Sequence, residues 1–317
     1  LENSNQGFKK EIGIIGLGKM GGGLARRLVE KGWRVVGYNR TREVTDAFAK
    51  EGIEPAYSYR ELIAKLPKPK IVWLMVPAHG AVDEVLFGKG GVTSVLKKGD
   101  IVIDGGNSFY EETIVRARKL TKLGIRFLDI GVSGGPRGAR SGACLMIGGE
   151  EKLYQELEGL FRDLATSGGY AYMGNAGAGH FVKMVHNGIE YGMMQALAEG
   201  FAVLKKSPFK LDLKKVTELY NHGSVITSRL VGWLKSGFEN YGEDLQAISG
   251  SVAHTGEGEW TVKTAGKFKV PTPIIEAAFQ FRVQSAKYPS YIGKILGALR
   301  NQFGGHSIEG VTEKKKK

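Results

Sequence analysis

Five polar side chains have the spacing of one helix face: Lys183, His186, Asn187, Glu190 and Tyr191. With ~100° between successive helical residues, they fall within an arc of about 140°. One face then carries a base, an acid, an amide and two further rings able to form hydrogen bonds. A polar face of this kind can also meet water or another subunit. A second motif, upstream in the chain, favours a catalytic role.

The second motif is the segment Gly16-Leu17-Gly18-Lys19-Met20-Gly21, which follows the apolar run of residues 12–15. After the glycine segment, apolar residues recur at helical spacing, which predicts a helix. Residues 34–38 then predict a second strand. A strand, a tight glycine turn, a helix and a strand together place a pyrophosphate at the helix N-terminus. The glycines alone would suit an ordinary flexible turn, but the flanking elements favour dinucleotide binding.

The end of the second predicted strand, Asn39-Arg40-Thr41, indicates which dinucleotide binds. An NAD enzyme commonly has an acid at this point to hold the ribose 2′-hydroxyl, whereas a 2′-phosphate favours an arginine. No acid occurs before Glu43. Arg40 therefore favours NADP over NAD, with a solvated arginine at a strand end as the alternative.

The composition fits a cytoplasmic protein of two domains. The chain has 317 residues, 42% of them hydrophobic, which is enough for two cores. The single cysteine, Cys144, excludes an internal disulfide and lies in an apolar run, 143–147, that predicts a buried strand. No apolar run approaches the ~20 residues of a membrane span. The initial LENSNQGFKK lacks the apolar core of a signal peptide, so we expect neither export nor a membrane partner.

The net charge of +13 arises from 45 Lys and Arg against 32 Asp and Glu. A nucleic-acid-binding protein would concentrate such an excess on one stripe with exposed aromatic residues. Here the basic residues are scattered, apart from the run Lys314–Lys317, which predicts a disordered tail. The charge is interpreted as a field that attracts phosphorylated, anionic ligands, and no nucleic-acid partner is expected.

Up to about residue 172, short β-rich runs alternate with helical patterns, as in a doubly wound, mostly parallel sheet of the Rossmann type. The predicted strands are residues 12–16, 35–38, 71–76, 101–104, 126–130, 144–147 and 170–173. After Gly179 only helical patterns occur, at 179–206, 212–221, 225–238, 257–267 and 273–302. The predicted fold class is α/β, with a dinucleotide-binding domain at 1–176 and an all-helical substrate and oligomerisation domain at 177–317.

These motifs resemble the β-hydroxyacid dehydrogenases, and within them a short form of the decarboxylating 6-phosphogluconate dehydrogenases. The resemblance spans most of the chain and also includes residues 76–78, 104–108, 132–135 and 300–306. Its most specific part runs from Lys183 to Gly192, because related hydroxyacid dehydrogenases have Asn-Asn in place of His186-Asn187 and lack the Glu-Tyr-Gly that follows.

The resemblance implies oxidative decarboxylation of 6-phospho-D-gluconate to D-ribulose 5-phosphate and CO₂ with reduction of NADP, a step of the pentose phosphate pathway. It implies that Lys183 is the general base and then the acid, and that Glu190 is the general acid. No metal is implied, and no cluster with metal-ligand spacing occurs near these residues.

Binding residues are also implied by the resemblance. Those for the substrate are Asn107, Ser133, Gly134, Gly135, His186, Asn187, Tyr191, Arg282, Arg300 and His306. Those for the cofactor are Gly16, Leu17, Gly18, Lys19, Met20, Gly21, Asn39, Arg40, Thr41, Val76, Pro77, Ala78 and Asn107. Without the resemblance, Arg282 would be interpreted as a surface arginine of a helix.

One loop departs from the resemblance. Thr255-Gly256-Glu257-Gly258-Glu259-Trp260 occurs where the family has Lys-Gly-Thr-Gly-x-Trp, so a phosphate-binding lysine is absent and two acids are present. This favours the alternative of a dehydrogenase for a smaller, unphosphorylated hydroxy acid, whereas Arg300 and His306 favour the phosphorylated substrate. A non-catalytic dinucleotide-sensing protein is a remoter alternative, which the presence of Lys183 and Glu190 disfavours.

The C-terminal segment implies an oligomer. In the family that the chain resembles, the arginine and histidine that match Arg300 and His306 come from a neighbouring subunit. We therefore expect a homo-oligomer, a dimer or a tetramer, whose sites are completed across subunits.

Overall fold

The structure is a computed structural model that describes residues 9–78 and 80–309. Backbone contacts divide the described residues into two compact units, one up to Met184 and one from Val185. The division falls inside the long helix Ala178–Lys206. The first eight residues and the predicted tail at 314–317 lie outside the described residues.

An eight-stranded sheet forms the first unit. Its strands are β1 (Glu11–Ile15), β2 (Arg34–Tyr38), β3 (Glu54–Pro55), β4 (Ile71–Leu74), β5 (Ile101–Asp104), β6 (Arg126–Ser133), β7 (Ala143–Gly149) and β8 (Ala165–Gly174). They are ordered β3-β2-β1-β4-β5-β6-β7-β8, and every neighbouring pair is parallel except β6 with β7. The predicted Rossmann-type, mostly parallel sheet is confirmed.

Helices pack on both faces of this sheet. They are α1 (Lys19–Glu30), α2 (Arg42–Ala49), α3 (Tyr59–Lys65), α4 (Gly80–Phe87), α5 (Tyr110–Lys122), α6 (Gly135–Ser141), α7 (Glu151–Glu156) and α8 (Glu158–Leu164). Successive residues of β1 enter different cores: Ile14 packs with Leu24 and Leu28 of α1, whereas Ile15 packs with Leu62 and Leu120 of α3 and α5. The strands are apolar on both faces because both faces are covered.

The second unit is helical, as predicted. It contains most of α9 (Ala178–Lys206), then α10 (Leu213–Tyr220), α11 (Arg229–Tyr241), α12 (Glu257–Lys267), α13 (Pro273–Ser285) and α14 (Tyr291–Gly304). Its core includes Phe201 of α9, Leu234 and Phe238 of α11, and Leu296 and Leu299 of α14.

Two expectations were wrong in detail, and one short strand was missed. The single helix predicted at 273–302 is two helices, because Pro289 cannot continue a helix and the Ser290 hydroxyl then caps α14 by accepting the Gly293 N–H at 3.2 Å. Cys144 lies in a strand as predicted, but it is exposed at the start of β7, whereas Ala143 and Leu145 on either side of it are buried. The two-residue strand β3 was missed because it is too short to show a pattern.

Among residues 9–78 and 80–309, no helix combines the length and the apolar character needed to cross a bilayer. Within the same residues, no three His, Cys, Asp or Glu side chains are grouped so that they could hold a metal ion.

Candidate active site

Strands β1, β2, β4, β5 and β6 run parallel, so the segments that follow them lie at one edge of the sheet. Those segments contain the predicted cofactor residues and the predicted carboxylate-binding turn: 16–21, 39–41, 76–78, 107 and 133–135. Strand β1 lies between β2 and β4, where the strand order reverses. Dinucleotides bind outside the carboxyl ends of the strands at such a switch point. The order of the strands therefore brings the predicted segments together where a dinucleotide would bind.

The glycine turn after β1 is shaped by what lies against each glycine. Gly16 has a φ of 99°, and a Cβ on it would lie 2.2 Å from the carbonyl oxygen of Met75. A Cβ on Gly21 would lie 1.9 Å from the carbonyl oxygen of Gly16. A Cβ on Gly18 would meet no atom within 4 Å. Gly16 and Gly21 therefore permit close packing, whereas Gly18 leaves room for a pyrophosphate at the N-terminus of α1.

Asn39 connects the end of β2 to this turn, because its Oδ1 accepts the Leu17 N–H at 3.1 Å. The next residue, Arg40, is exposed and forms no ion pair within the described residues. Arg42 differs, since its Nε lies 3.9 Å from a carboxylate oxygen of Asp46. Of these two arginines, Arg40 is thus the one whose charge is not already matched by a carboxylate.

Asn107 lies in a turn organised by the buried carboxylate of Asp104. One oxygen of Asp104 accepts the Gly106 N–H at 3.0 Å, and the other accepts the Ser108 hydroxyl at 2.9 Å. A Cβ on Gly106 would lie 3.0 Å from the carbonyl oxygen of Val76. The turn therefore packs against the segment that follows β4, which brings Asn107 next to predicted cofactor residues.

The segment Ser133-Gly134-Gly135 turns sharply from β6 into α6. Gly134 and Gly135 have φ values of 118° and 63°, a region that residues with side chains rarely adopt. The Gly134 carbonyl accepts the Gly138 N–H at 2.9 Å, and a Cβ on Gly134 would lie 3.1 Å from the Gly138 Cα. Both glycines are required by the backbone, independently of any role in binding a carboxylate.

A buried aspartate anchors the start of α9. The Asp129 carboxylate on β6 accepts the Gly177 N–H at 2.7 Å and the His180 N–H at 2.9 Å. Hydrogen bonds from helix N-terminal amides to a carboxylate are strong, because they satisfy unpaired donors and oppose the helix dipole. Asp129 is not among the residues predicted above, although a lone acid inside the apolar run of residues 127–132 is a signal in the sequence.

Three glycines, which we call the glycine seam, let α9 lie directly on the sheet: Gly131 on β6, Gly148 on β7 and Gly179 on α9. A Cβ on Gly148 would lie 2.6 Å from the Gly179 nitrogen. A Cβ on Gly131 would lie 2.3 Å from the Cβ of Lys183. The aliphatic stem of Lys183 therefore crosses β6 at a position that has no side chain, and the strand fixes where this amine begins.

Beyond Lys183, the same helix carries the other predicted polar residues. His186 Nδ1 lies 3.0 Å from Asn187 Oδ1 and 3.8 Å from Glu190 Oε2. All three side chains are half-buried. His186 and Glu190 are therefore one turn apart on the same face of α9, with their polar atoms close together.

Two buried arginines, which we call the arginine pair, lie near Tyr191: Arg282 on α13 and Arg300 on α14 are 4% and 7% exposed. The Arg282 guanidinium carbon lies 3.4 Å from the centroid of the Tyr191 ring, a cation–π contact. Burial lowers the pKa of Arg282 to about 10, and the charge of Arg300 also lowers it, against opposing effects of Tyr191, Glu190 and Glu257. Neither guanidinium forms an ion pair within the described residues. Two such cations form a candidate anion site.

Arg282 is buried, whereas its sequence context alone predicts an arginine on the surface. The charge of Arg300 acts on Tyr191 and Arg282 of its own chain, and its expected role in a partner's site stays a prediction. The helix break at Pro289 allows Arg300 to lie near Arg282. In one continuous helix, Arg282 and Arg300 would be about 27 Å apart.

His306, the other residue expected to reach a partner, folds back onto the end of α14. Its ring centroid lies 6.0 Å from that of Phe303, and its carbonyl accepts the Asn301 side-chain amide at 2.8 Å. His306 is half-buried in this position.

The segment of residues 255–260, which we call the acidic loop, places Glu257 and Glu259 in different surroundings. Glu257 is only 5% exposed and accepts the Thr255 hydroxyl at 2.7 Å, whereas Glu259 forms a surface ion pair with Lys263 at 2.6 Å. A Cβ on Gly258 would lie 2.6 Å from the Tyr191 ring, so the loop packs against that ring. Burial raises the pKa of Tyr191, as does the charge of Glu257, while Arg282 lowers it.

Two family models match the chain. Residues 11–187 match the NAD-binding domain of 6-phosphogluconate dehydrogenase, and residues 179–293 match the C-terminal domain of the same family.

Similar proteins carry related names. YqeC of Bacillus subtilis, named only provisionally as a 6-phosphogluconate dehydrogenase, is 45% identical over 299 residues, which cover 94% of this chain and 99% of YqeC. The NAD⁺-dependent, decarboxylating 6-phosphogluconate dehydrogenase of Haloferax volcanii is 40% identical over 94% of this chain and 98% of its own length. The Plasmodium falciparum 6-phosphogluconate dehydrogenase, solved with NADP⁺ and with 6-phosphogluconate, has a TM-score of 0.78 and 30% identity over 96% of this chain and 67% of its own. The chain therefore belongs to the 6-phosphogluconate dehydrogenase family of oxidoreductases.

Proposed function

We propose that the chain oxidises and decarboxylates 6-phospho-D-gluconate, giving D-ribulose 5-phosphate and CO₂ with reduction of NADP. One observation carries the proposal: a single helix bears Lys183, Glu190 and Tyr191, and the arginine pair is buried next to Tyr191. A lysine and a glutamate supply a base and an acid, and two buried guanidinium groups suit the phosphate end of the substrate.

The proposed reaction oxidises C3, then releases CO₂, and then protonates the new terminal carbon. Lys183, neutral when the substrate binds, takes the proton of the C3 hydroxyl while hydride leaves C3. NADP, when bound, supplies the acceptor for that hydride. The 3-keto acid then loses its carboxyl carbon as CO₂, and Lys183 returns its proton to the carbonyl oxygen to form an enediol. Glu190 protonates the carbon that becomes C1 of the pentulose, while Lys183 takes the proton of the C2 hydroxyl so that the ketone forms.

An assay with 6-phosphogluconate and gluconate, each with NADP and NAD, tests the proposal when CO₂ and reduced cofactor are both measured. We expect equal amounts of CO₂ and NADPH from 6-phosphogluconate. Reduced cofactor without CO₂, or turnover of gluconate alone, would contradict it. The second outcome would support a dehydrogenase of unphosphorylated hydroxy acids, the alternative that the buried carboxylate of Glu257 favours.

We further propose that NADP is preferred over NAD, although the Haloferax volcanii relative is named NAD⁺-dependent. Arg40 is exposed, lacks an ion pair within the described residues and follows β2 at the point where the ribose would lie. A charge-assisted contact to the 2′-phosphate contributes ~1.5–3 kcal/mol, or about 10–100-fold in selectivity.

Arg40→Asp should therefore reverse the cofactor preference, because the new carboxylate repels a 2′-phosphate and can accept a ribose hydroxyl. The measurement is the ratio of kcat/KM with NADP to that with NAD. Arg118→Asp, which makes the same change at an exposed arginine of α5, should leave that ratio unchanged. A wild-type protein that prefers NAD would refute the role of Arg40.

Finally, we propose that the protein is a homo-oligomer. Helix α9 exposes an apolar stripe in which Ile189, Met193 and Val203 are 52%, 46% and 72% exposed. With the exposed Ala196 and Gly200 between them, the spacing alternates between four and three residues, as at the seam of paired helices. Apolar surface of this extent is typical of an interface.

Val203→Glu should weaken the oligomer by about 3 kcal/mol or more, since it buries an unpaired charge. Analytical ultracentrifugation across a concentration series would measure the shift to smaller species. Val115→Glu, at an exposed valine of α5, is the matched control. A wild-type monomer at all concentrations would refute the proposal.

A further inference from the structure

Glu257 is a buried carboxylate close to the candidate anion site. It lies in the first turn of α12 and is 5% exposed. The next residue, Gly258, packs so closely on Tyr191 that a Cβ would lie 2.6 Å from the ring. The guanidinium of Arg282 lies 3.4 Å from the centroid of the same ring. Glu257 and Arg282 are therefore neighbours around Tyr191, and the charge of Arg300 also acts on this tyrosine.

The arginine pair on α13 and α14 has carboxylates from two other helices, α9 and α12, near it. Burial lowers the pKa of both Arg282 and Arg300, and carboxylates on α9 and α12, Glu190 and Glu257, act to raise both values. Two like charges in a buried site repel each other, so a neighbouring negative charge stabilises them before any ligand binds. Of the two carboxylates, Glu190 is half-buried and has His186 3.8 Å away, whereas Glu257 is buried.

We propose that Glu257 is the internal counter-ion of the arginine pair, and that its charge makes this site discriminate against dianionic ligands. The proposal rests on the function proposed above, in which the arginine pair binds the phosphate. A phosphate monoester carries one charge below its second pKa of about 6 and two charges above it. Glu257 repels each added negative charge, so it weakens binding of the dianion more than binding of the monoanion.

Glu257→Gln isolates this charge, because the amide has almost the same shape and its oxygen can still accept the Thr255 hydroxyl. We expect the KM for 6-phosphogluconate at pH 7.5 to fall about tenfold, the effect of one nearby charge that is partly screened. At pH 5.5, where the monoanion is abundant, the fall should be smaller. The KM for gluconate, which has no phosphate, should change by less than twofold.

Glu259→Gln is the matched control, since it removes one negative charge from the same helical turn. Glu259 is on the surface and is already paired with Lys263, so its KM values should equal those of the wild type at both pH values. A purely structural role of Glu257 would instead raise the KM for both substrates. Either that result, or equal effects of the two variants, would overturn the proposal.

A measurement without turnover separates this inference from the proposed function. Inorganic phosphate should raise the thermal midpoint of Glu257→Gln more than that of the wild type or Glu259→Gln, because the arginine pair then lacks its counter-ion. Equal increases in all three proteins would overturn the counter-ion role. If the wild type fails to decarboxylate 6-phosphogluconate, the proposed function is lost, but the phosphate measurement still decides the role of Glu257.

Discussion

Lys183→Met should reduce the production of NADPH from 6-phosphogluconate by roughly four orders of magnitude. General acid–base catalysis contributes about 10²–10⁴-fold to the rate of a step. The proposed mechanism uses this amine in both the oxidation and the decarboxylation. Methionine has a similar length and no charge, so it can occupy the path of the lysine stem across Gly131. The thermal midpoint and the affinity for NADP should therefore change little. Single-turnover fluorescence of NADPH measures the loss directly.

The matched control is Lys206→Met, at an exposed lysine near the end of the same helix. It should retain wild-type rates. Glu190→Gln should differ from both, because hydride transfer precedes the step assigned to Glu190: a burst of NADPH should persist while steady-state turnover falls. Near-normal rates in Lys183→Met would show that another group is the base.

Arg282→Met should raise the KM for 6-phosphogluconate about 100-fold. Charge-assisted hydrogen bonds contribute ~1.5–3 kcal/mol each, and a guanidinium can donate two to one phosphate. The KM for gluconate should stay constant, because the lost contact is to the phosphate. Steady-state kinetics with both substrates measures the difference.

The Arg282→Met protein should remain folded, so a change in its KM can be assigned to the lost guanidinium. Burial and the charge of Arg300 both disfavour the charged form of Arg282, so an apolar side chain of similar length should preserve the thermal midpoint or raise it. Arg229→Met is the matched control, since Arg229 is an exposed arginine 5.7 Å from the Trp233 ring centroid. An unchanged KM in Arg282→Met would remove the arginine pair from the phosphate site.

The sequence predicts those parts of the fold that depend on residues close to one another in the chain. The strand, glycine turn and helix at the start of the chain are confirmed because apolar periodicity and glycine spacing act over a few residues. Helix α9 was predicted within one residue of its start for the same reason. The membership of Lys183, Glu190 and Tyr191 in one helix followed directly from their spacing.

The burial of Arg282 could not be predicted in this way, because it depends on how α12, α13 and α14 pack. Glu257 shows the same limit: its acidic loop was visible in the sequence, but the different surroundings of Glu257 and Glu259 were not. Pro289 was a local signal that the periodic pattern of residues 273–302 concealed.

The glycine seam has a consequence for local unfolding. Helices usually fray from their ends, and the first amides of a helix exchange with solvent most readily. In α9 these amides are bound by the buried Asp129, and the backbone of the first turn lies directly against β6 and β7. This end of the helix therefore cannot open unless β6 and β7 open with it. Lys183 belongs to the cooperative unit of the sheet, and its amine starts from one of the slowest-opening parts of the protein.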